Sequence, residues 1–329
     1  MTLVGAPATT TVTDTLRPPL TRPDLSPALT PAIADDVRLG ATTIPSNALS
    51  WQHVRLLRPR QWVKNAFVLA PLIFSGAFVR FDAVLSAAAA VALFCIASSM
   101  TYVFNDLRDR EADRLHPIKR YTRPIASGAV SVTQAWWMMA VLSLGLVAGA
   151  FVELRVTLVI AFYLLLNIAY TIKLKRVPVL DLFVLSAGFV LRVQAGASAV
   201  AVEVSPWMLI TTLCLALYLA AVKRRDELAT SGHSGREVLK LYTPALLDRF
   251  AERAALGAMV FYGLFVITVR PALAGSIPLV LFGMFRYSYV VDRSGAGESP
   301  TDALWRDRPL ALTVVAWAAF CAFTLAHRS

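Results

Sequence analysis

The sequence predicts an all-α polytopic membrane protein with about nine transmembrane helices. Three observations carry this. Hydrophobic residues make up 57% of the 329 residues and charged residues only 16%, where a soluble domain holds roughly 25% charged residues. Several apolar runs approach or exceed the ~18–20 residues that cross a bilayer as a helix. The ~10-residue alternation of a membrane β-barrel is absent.

Residues 1–50 hold 7 of the 18 prolines and no long apolar stretch. They lack the apolar core of a signal peptide and read as a disordered cytoplasmic tail ahead of a membrane-embedded domain over 51–329. The segment WQHVRLLRPRQWVK (51–64) reads as an amphipathic lead-in lying at the interface. Spans are expected at 66–81, 83–104, 132–151, 154–172, 178–200, 206–222, 254–270, 272–291 and 309–326. Only Arg80–Phe81–Asp82 separates the first two, which demands a tight turn there.

Counting Lys and Arg in alternate loops gives 23 on one side and 4 on the other. Basic loops stay in the cytoplasm, so the N-terminus and the long loops 105–131 and 223–253 are expected there, with the C-terminus outside. The same count accounts for the net charge of +11. No aromatic-interleaved basic motif points to nucleic acid. Cys95, Cys214 and Cys321 sit in apolar runs without metal or disulfide spacing.

The stretch NDLRDREAD (105–113) stands where the second span leaves the membrane. On a helix, Asp106, Asp109 and Asp113 fall at i, i+3 and i+7, and Asn105 joins their face. Adjacent carboxylates repel unless they share a cation. Mg²⁺ suits them, because it takes oxygen ligands and bridges carboxylates to substrate phosphates. A merely solvated charged loop is the alternative, but acids at a membrane boundary are costly and mark function.

Further cations follow. Lys119, Arg120 and Arg123 lie just downstream, where they can neutralise a pyrophosphate. A third cluster runs from Tyr170 through Lys173, Lys175 and Arg176 to Asp181. Arg192 sits in the middle of the fifth span, facing either a polar cavity or a buried acid such as Asp181. Lys223, Arg224, Arg225, Asp226 and Glu227 close the sixth span. The four histidines are too scattered for zinc, and no GxSxG, P-loop or GxGxxG motif occurs. These residues describe a membrane enzyme that binds a Mg²⁺–diphosphate at its cytoplasmic face and a lipid in its apolar body.

The motif Asn105-Asp106-x-x-Asp109-x-x-x-Asp113 resembles the first aspartate-rich motif of the UbiA superfamily of membrane prenyltransferases. Arg123–Gly128 and the nine-span count also look like that family, over residues 51–329. Within it, RPRQWVKN (58–65), the stretch 105–128, YTIKLKRVPVLD (170–181) and KRRDEL (223–228) resemble the decaprenyl-phosphate phosphoribosyltransferase branch. Where aromatic-acceptor prenyltransferases carry a second aspartate-rich motif, this sequence has KRRDEL, which is richer in cations.

The resemblance implies a UbiA-type fold in the plasma membrane. It implies transfer of 5-phosphoribosyl from phosphoribosyl pyrophosphate to decaprenyl or a similar polyprenyl phosphate, for cell-wall arabinan. Asn105, Asp106, Asp109 and Asp113 would hold Mg²⁺. Lys64, Lys119, Arg120, Arg123, Tyr170, Lys175, Asp181, Arg192, Lys223, Arg224, Arg225, Asp226 and Glu227 would line the substrates. Lys173 and Lys175 both remain candidates for the family's tyrosine–lysine motif. A homo-oligomer is compatible with this reading. Transfer of a prenyl group to an aromatic acceptor, and a transporter, stay open as alternatives.

Overall fold

The computed structural model describes residues 46–116, 119–231, 237–294 and 306–327. The expected tail lies outside them up to residue 45. Helix α1 (Ser46–Leu57) opens the described chain. A long 3₁₀ stretch (Pro59–Leu69), α2 (Ala70–Ser75) and a 3₁₀ turn (Ala77–Val79) follow. Then come α3 (Phe81–Arg108), α4 (Arg110–Leu115), α5 (Lys119–Thr122), α6 (Val132–Val152), α7 (Leu154–Ile172) and α8 (Leu180–Val200). The rest is α9 (Pro206–Ser231), α10 (Pro244–Val269), α11 (Ile277–Ser294) and α12 (Arg308–Ala326). Among the described residues there is no strand.

Among the described residues, eight helices, α3 and α6–α12, are long and apolar enough to cross a membrane. The expected span at 66–81 differs: it is the 3₁₀ stretch joined to the short α2. Pro59 and Pro71 bracket this segment, and Gly76 ends it in the left-handed region at φ 80°. Pro71, in the first turn of α2, lacks the N–H that would carry a regular helix across from the 3₁₀ stretch. The tight turn to α3 falls as expected, with Arg80 paired to Asp82 at 2.6 Å. Helices α9 and α10 run past the expected span limits, carrying 223–231 and 244–253 as charged extensions.

Local sequence sets the helix starts. Ser131 and Gln134 form a reciprocal capping box at α6. Thr243 and Asp307 cap α10 and α12, each with proline in the first turn. On α3 the buried positions Ala83, Ala87, Ala90 and Ala97 form a small-residue stripe, which lets neighbouring helices approach closely.

Helix α8 is the hub. Half of its membrane window is buried, against 17% for α6 and α12. It packs on α3, α7, α9 and the 3₁₀ stretch. One core gathers Phe94, Ile160, Tyr163 and Ala195 around Val68. A second joins α9–α12 through Tyr218, Val222, Tyr287 and Leu310. Phe74 of α2 meets Phe265 of α10 and Trp317 of α12, so the first segment closes the bundle against its last helix.

Candidate active site

The aspartate motif straddles a helix break. α3 ends at Arg108, Asp109 takes φ −90° and ψ 6°, and α4 resumes at Arg110. Backbone bonds from Asp109 to Asn105 and from Asp113 to Asp109, at 2.9 and 2.8 Å, carry the helical register across the break. The three carboxylates therefore stay near one another, as their spacing predicts.

Each carboxylate meets cations from other elements. Asp106 is 2% exposed, and its Oδ1 accepts from both Arg58 and Arg123. Asp109 Oδ1 lies 3.1 Å from Lys175 Nζ. Asp113 Oδ1 lies 3.8 Å from Lys119 Nζ. Burial lifts the Asp113 carboxyl above the usual carboxylate range, against the pull of Lys119 and with the help of Asp109's charge. Thr171 Oγ1 donates to Asn105 Oδ1 at 2.5 Å and fixes the amide at the head of the motif.

Further cations gather around Lys64. Lys64 has no ion pair among the described residues, and Lys223, Arg192 and Arg58 all act on it electrostatically. Its neighbour Asn65 is fully buried, donates toward Ser98 and Cys95, and accepts from Arg192 Nε at 2.9 Å. Arg192 also donates to the Gly188 carbonyl and to Tyr163, and lies over the rings of Phe94, Tyr163 and Phe189. Of the two readings left open for Arg192, pairing with Asp181 does not occur; amide, carbonyl and aromatic faces stabilise it instead.

Asp181 is fully buried and belongs to another network. Arg224 donates to it at 2.9 Å, to Tyr170 at 2.9 Å and to Glu227 at 2.6 Å. Tyr242 donates to its second oxygen at 2.7 Å. Arg225 points away from the motif, tying Asp248 of α10 and Asp292 of α11 at 3.0 and 2.8 Å, with the buried Asp226 at 3.5 Å. Arg120 is exposed and stacks on Tyr121.

Of the expected site residues, the structure gathers Asn105, Asp106, Asp109, Asp113, Lys119, Arg123 and Lys175 into one cluster, with Lys64 in electrostatic reach of Arg58, Arg192 and Lys223. Tyr170, Asp181, Arg224 and Glu227 form a supporting network beside it. Arg120 and Arg225 lie outside both, and the buried Asp226 lies beside Arg225. Between the two candidate lysines, Lys175 reaches the motif and Lys173 is exposed. Arg58 and Thr171 were not among the expected residues. Arg58 lies in the quoted RPRQWVKN, and its left-handed φ of 54° aims it back toward α3.

The donor set suits a hard divalent cation. Among the described residues, Asp106 Oδ2 is buried with no hydrogen-bond partner. A cation coordinated by that oxygen, with Asp109 and Asp113 beside it, would satisfy it. Among the described residues, no three acidic, His or Cys groups already converge on one point, because basic side chains hold the carboxylates apart.

Apolar helices around a carboxylate-and-cation cluster at one end define a multi-pass membrane enzyme that handles phosphorylated substrates. The chain belongs to the UbiA prenyltransferase family, which it matches over residues 66–301. It is 35% identical to the decaprenyl-phosphate phosphoribosyltransferase of Corynebacterium glutamicum, covering 84% of this chain and 87% of that one. It is 38% identical to the protein of the same name from Mycobacterium tuberculosis, covering 81% and 91%. Its fold matches a solved UbiA homolog from Archaeoglobus fulgidus bound to DMAPP and Mg²⁺, with TM-score 0.65, 20% identity and coverage of 84% and 99%.

Proposed function

We propose that this enzyme transfers 5-phosphoribosyl from phosphoribosyl pyrophosphate to decaprenyl phosphate, or a similar polyprenyl phosphate, releasing pyrophosphate. The observation that carries the reading is the interleaving of charge. Each motif carboxylate has a cation from a different element beside it, and Lys64, in electrostatic reach of Arg58, Arg192 and Lys223, adds to the positive field. A site for one prenyl diphosphate needs fewer cations than a site that brings a diphosphate, a 5-phosphate and a lipid phosphate together. The two relatives above, named for this reaction, support the same reading.

Asp106, Asp109 and Asp113, with Asn105 beside them, would hold Mg²⁺, which stabilises the charge developing on the leaving pyrophosphate. Arg58 and Arg123 release Asp106 Oδ1 to that role and turn their guanidiniums to phosphate oxygens, for which the planar fork is suited. Lys175 and Lys119 do the same from the other side. As the anomeric C–O bond to pyrophosphate breaks, a lipid-phosphate oxygen forms the new bond from the opposite face, inverting that carbon. The lipid phosphate is an anion at neutral pH, so no general base is required, and catalysis is positioning and electrostatics. We place the charged end and the N-terminus in the cytoplasm of a plasma-membrane enzyme, from the loop charge asymmetry. Residues 1–50 then precede the membrane-embedded catalytic domain over 51–329.

The test is direct. Purified protein receives labelled phosphoribosyl pyrophosphate, decaprenyl phosphate and Mg²⁺, and label is followed into the organic phase. Transfer supports the reading. Label that stays aqueous, while a prenyl diphosphate and an aromatic acceptor react, would move the chain to the aromatic prenyltransferases.

A further inference from the structure

The segment that carries Lys175 is short and irregular: Lys173 ends α7, Leu174–Arg176 form one 3₁₀ turn, and α8 begins at Leu180. Nothing within it explains why Lys175 stands where it meets Asp109. Its two ends do. At one end, Tyr170 accepts from Arg224. At the other, the Val179 amide donates to Tyr242 Oη at 2.6 Å, and the same hydroxyl donates to Asp181 at 2.7 Å. Asp181 in turn accepts from Arg224. One buried network therefore clamps both ends of the lysine's loop.

Val179 holds a strained turn, in which the Leu180 amide donates to the Pro178 carbonyl at 2.7 Å. It sits at φ 67°, ψ −48°, a conformation a β-branched residue keeps only where its surroundings impose it. Tyr242 is 2% exposed and lies beside the 3₁₀ turn Glu237–Leu241 in the second long loop. A further tie runs from Arg176 to Glu237 at 3.3 Å, between exposed side chains.

We propose that Tyr242 is a positioning residue: by bridging the Val179 amide to Asp181, it holds Lys175 against the aspartate motif and couples the 237–242 segment to the active site. The effect on catalysis rests on the phosphoribosyl-transfer reading; the clamp itself does not.

Tyr242→Phe keeps the ring and removes both hydrogen bonds. Hydrogen exchange on the purified full chain reads the clamp without any assay of activity. In the wild type the Val179 amide should exchange slowly although it lies between helices, and in Tyr242→Phe it should exchange about 10-fold faster, the size of one lost hydrogen bond. Fast exchange in the wild type, or an unchanged rate in the variant, overturns the proposal, the former even if the variant fails to fold. Kinetics read the coupling. Tyr242→Phe should lower transfer about 10-fold, and Tyr242→Phe with Lys175→Ala should be no slower than Lys175→Ala alone, since residues acting through one contact are not additive. Multiplying losses would make Tyr242 merely structural. If the wild type transfers no label from phosphoribosyl pyrophosphate, the substrate reading fails, and the exchange result still judges the clamp.

Discussion

Lys175 Nζ lies 3.1 Å from Asp109 Oδ1, although 66 positions separate the two residues. The pair joins the aspartate motif at the end of α3 to the loop between α7 and α8. It is partly exposed, with side-chain accessibilities of 24% and 42%. A pair that open contributes only about 0–1 kcal/mol to stability, so its value lies in placing a cation beside a carboxylate. Asp109→Ala should insert and melt like the wild type while losing transfer by about 10³-fold, the scale of a missing electrostatic contact in a transition state. Normal turnover in that variant would remove the metal-binding role from the motif.

Metal dependence follows from the same cluster. EDTA should abolish transfer, and Mg²⁺ should restore it. Binding to the native state alone stabilises by about 2.7 kcal/mol at a hundredfold excess over Kd, so Mg²⁺ should raise the melting temperature. Asp106→Asn should abolish that rise, because the unpartnered Oδ2 becomes an amide position of no charge. A rise that survives in Asp106→Asn would place the cation elsewhere.

Lys64 separates function from stability. Burial, and then the charges of Lys223, Arg192 and Arg58, push the pKa of its ammonium down to about 7, and it has no ion pair among the described residues, so its charge is unfavourable in the absence of an anion. Lys64→Met should leave the melting temperature equal or higher, yet raise KM for the anionic substrates or lower kcat by about 100-fold, as for a lost charge-assisted contact. A large loss of stability would show that Lys64 is instead a structural cation.

Much of this was legible in the sequence. The i, i+3, i+7 spacing placed Asp106, Asp109 and Asp113 together, and eight of nine spans fell where hydropathy put them. The misses have local causes. The first span is broken because Pro71 and Gly76 interrupt it, and hydropathy does not see hydrogen-bond geometry. Arg58 and Arg225 are both basic residues at a membrane boundary. Only tertiary packing sends the first to Asp106 and the second to Asp248 and Asp292. Asp181 and Arg192 share a helix, but eleven residues of rise, about 16 Å, keep them apart, and Asp181 pairs with Arg224 of the next helix.

Arg192 tests how a lone cation is kept inside the bundle. Its neighbours are an amide, a carbonyl, a hydroxyl and three aromatic faces. Lysine cannot reproduce the planar fork or its stacking, so Arg192→Lys should destabilise despite keeping the charge. Asn65→Ala strands the guanidinium Nε and should cost about 1–3 kcal/mol. Thermal melts of the two variants check this; a neutral Arg192→Lys would mean that charge alone is what the position requires.

Gly196 on α8 faces the carbonyl of Val68, and a Cβ added there would sit 1.9 Å from that oxygen. The obstacle is backbone, so no side-chain rotation relieves it. Gly196→Ala must push the 3₁₀ stretch away from α8, and with it Lys64 and Asn65. Overpacking of this kind costs about 1–3 kcal/mol. Because the displaced segment carries Lys64 and follows directly on Arg58, activity should fall further than stability does: the melt shifts by several degrees, while transfer drops as far as in Lys64→Met. Gly196→Ala combined with Lys64→Met should then be little slower than either variant alone. Full activity in Gly196→Ala would show that the close approach of these two backbones does not position Lys64.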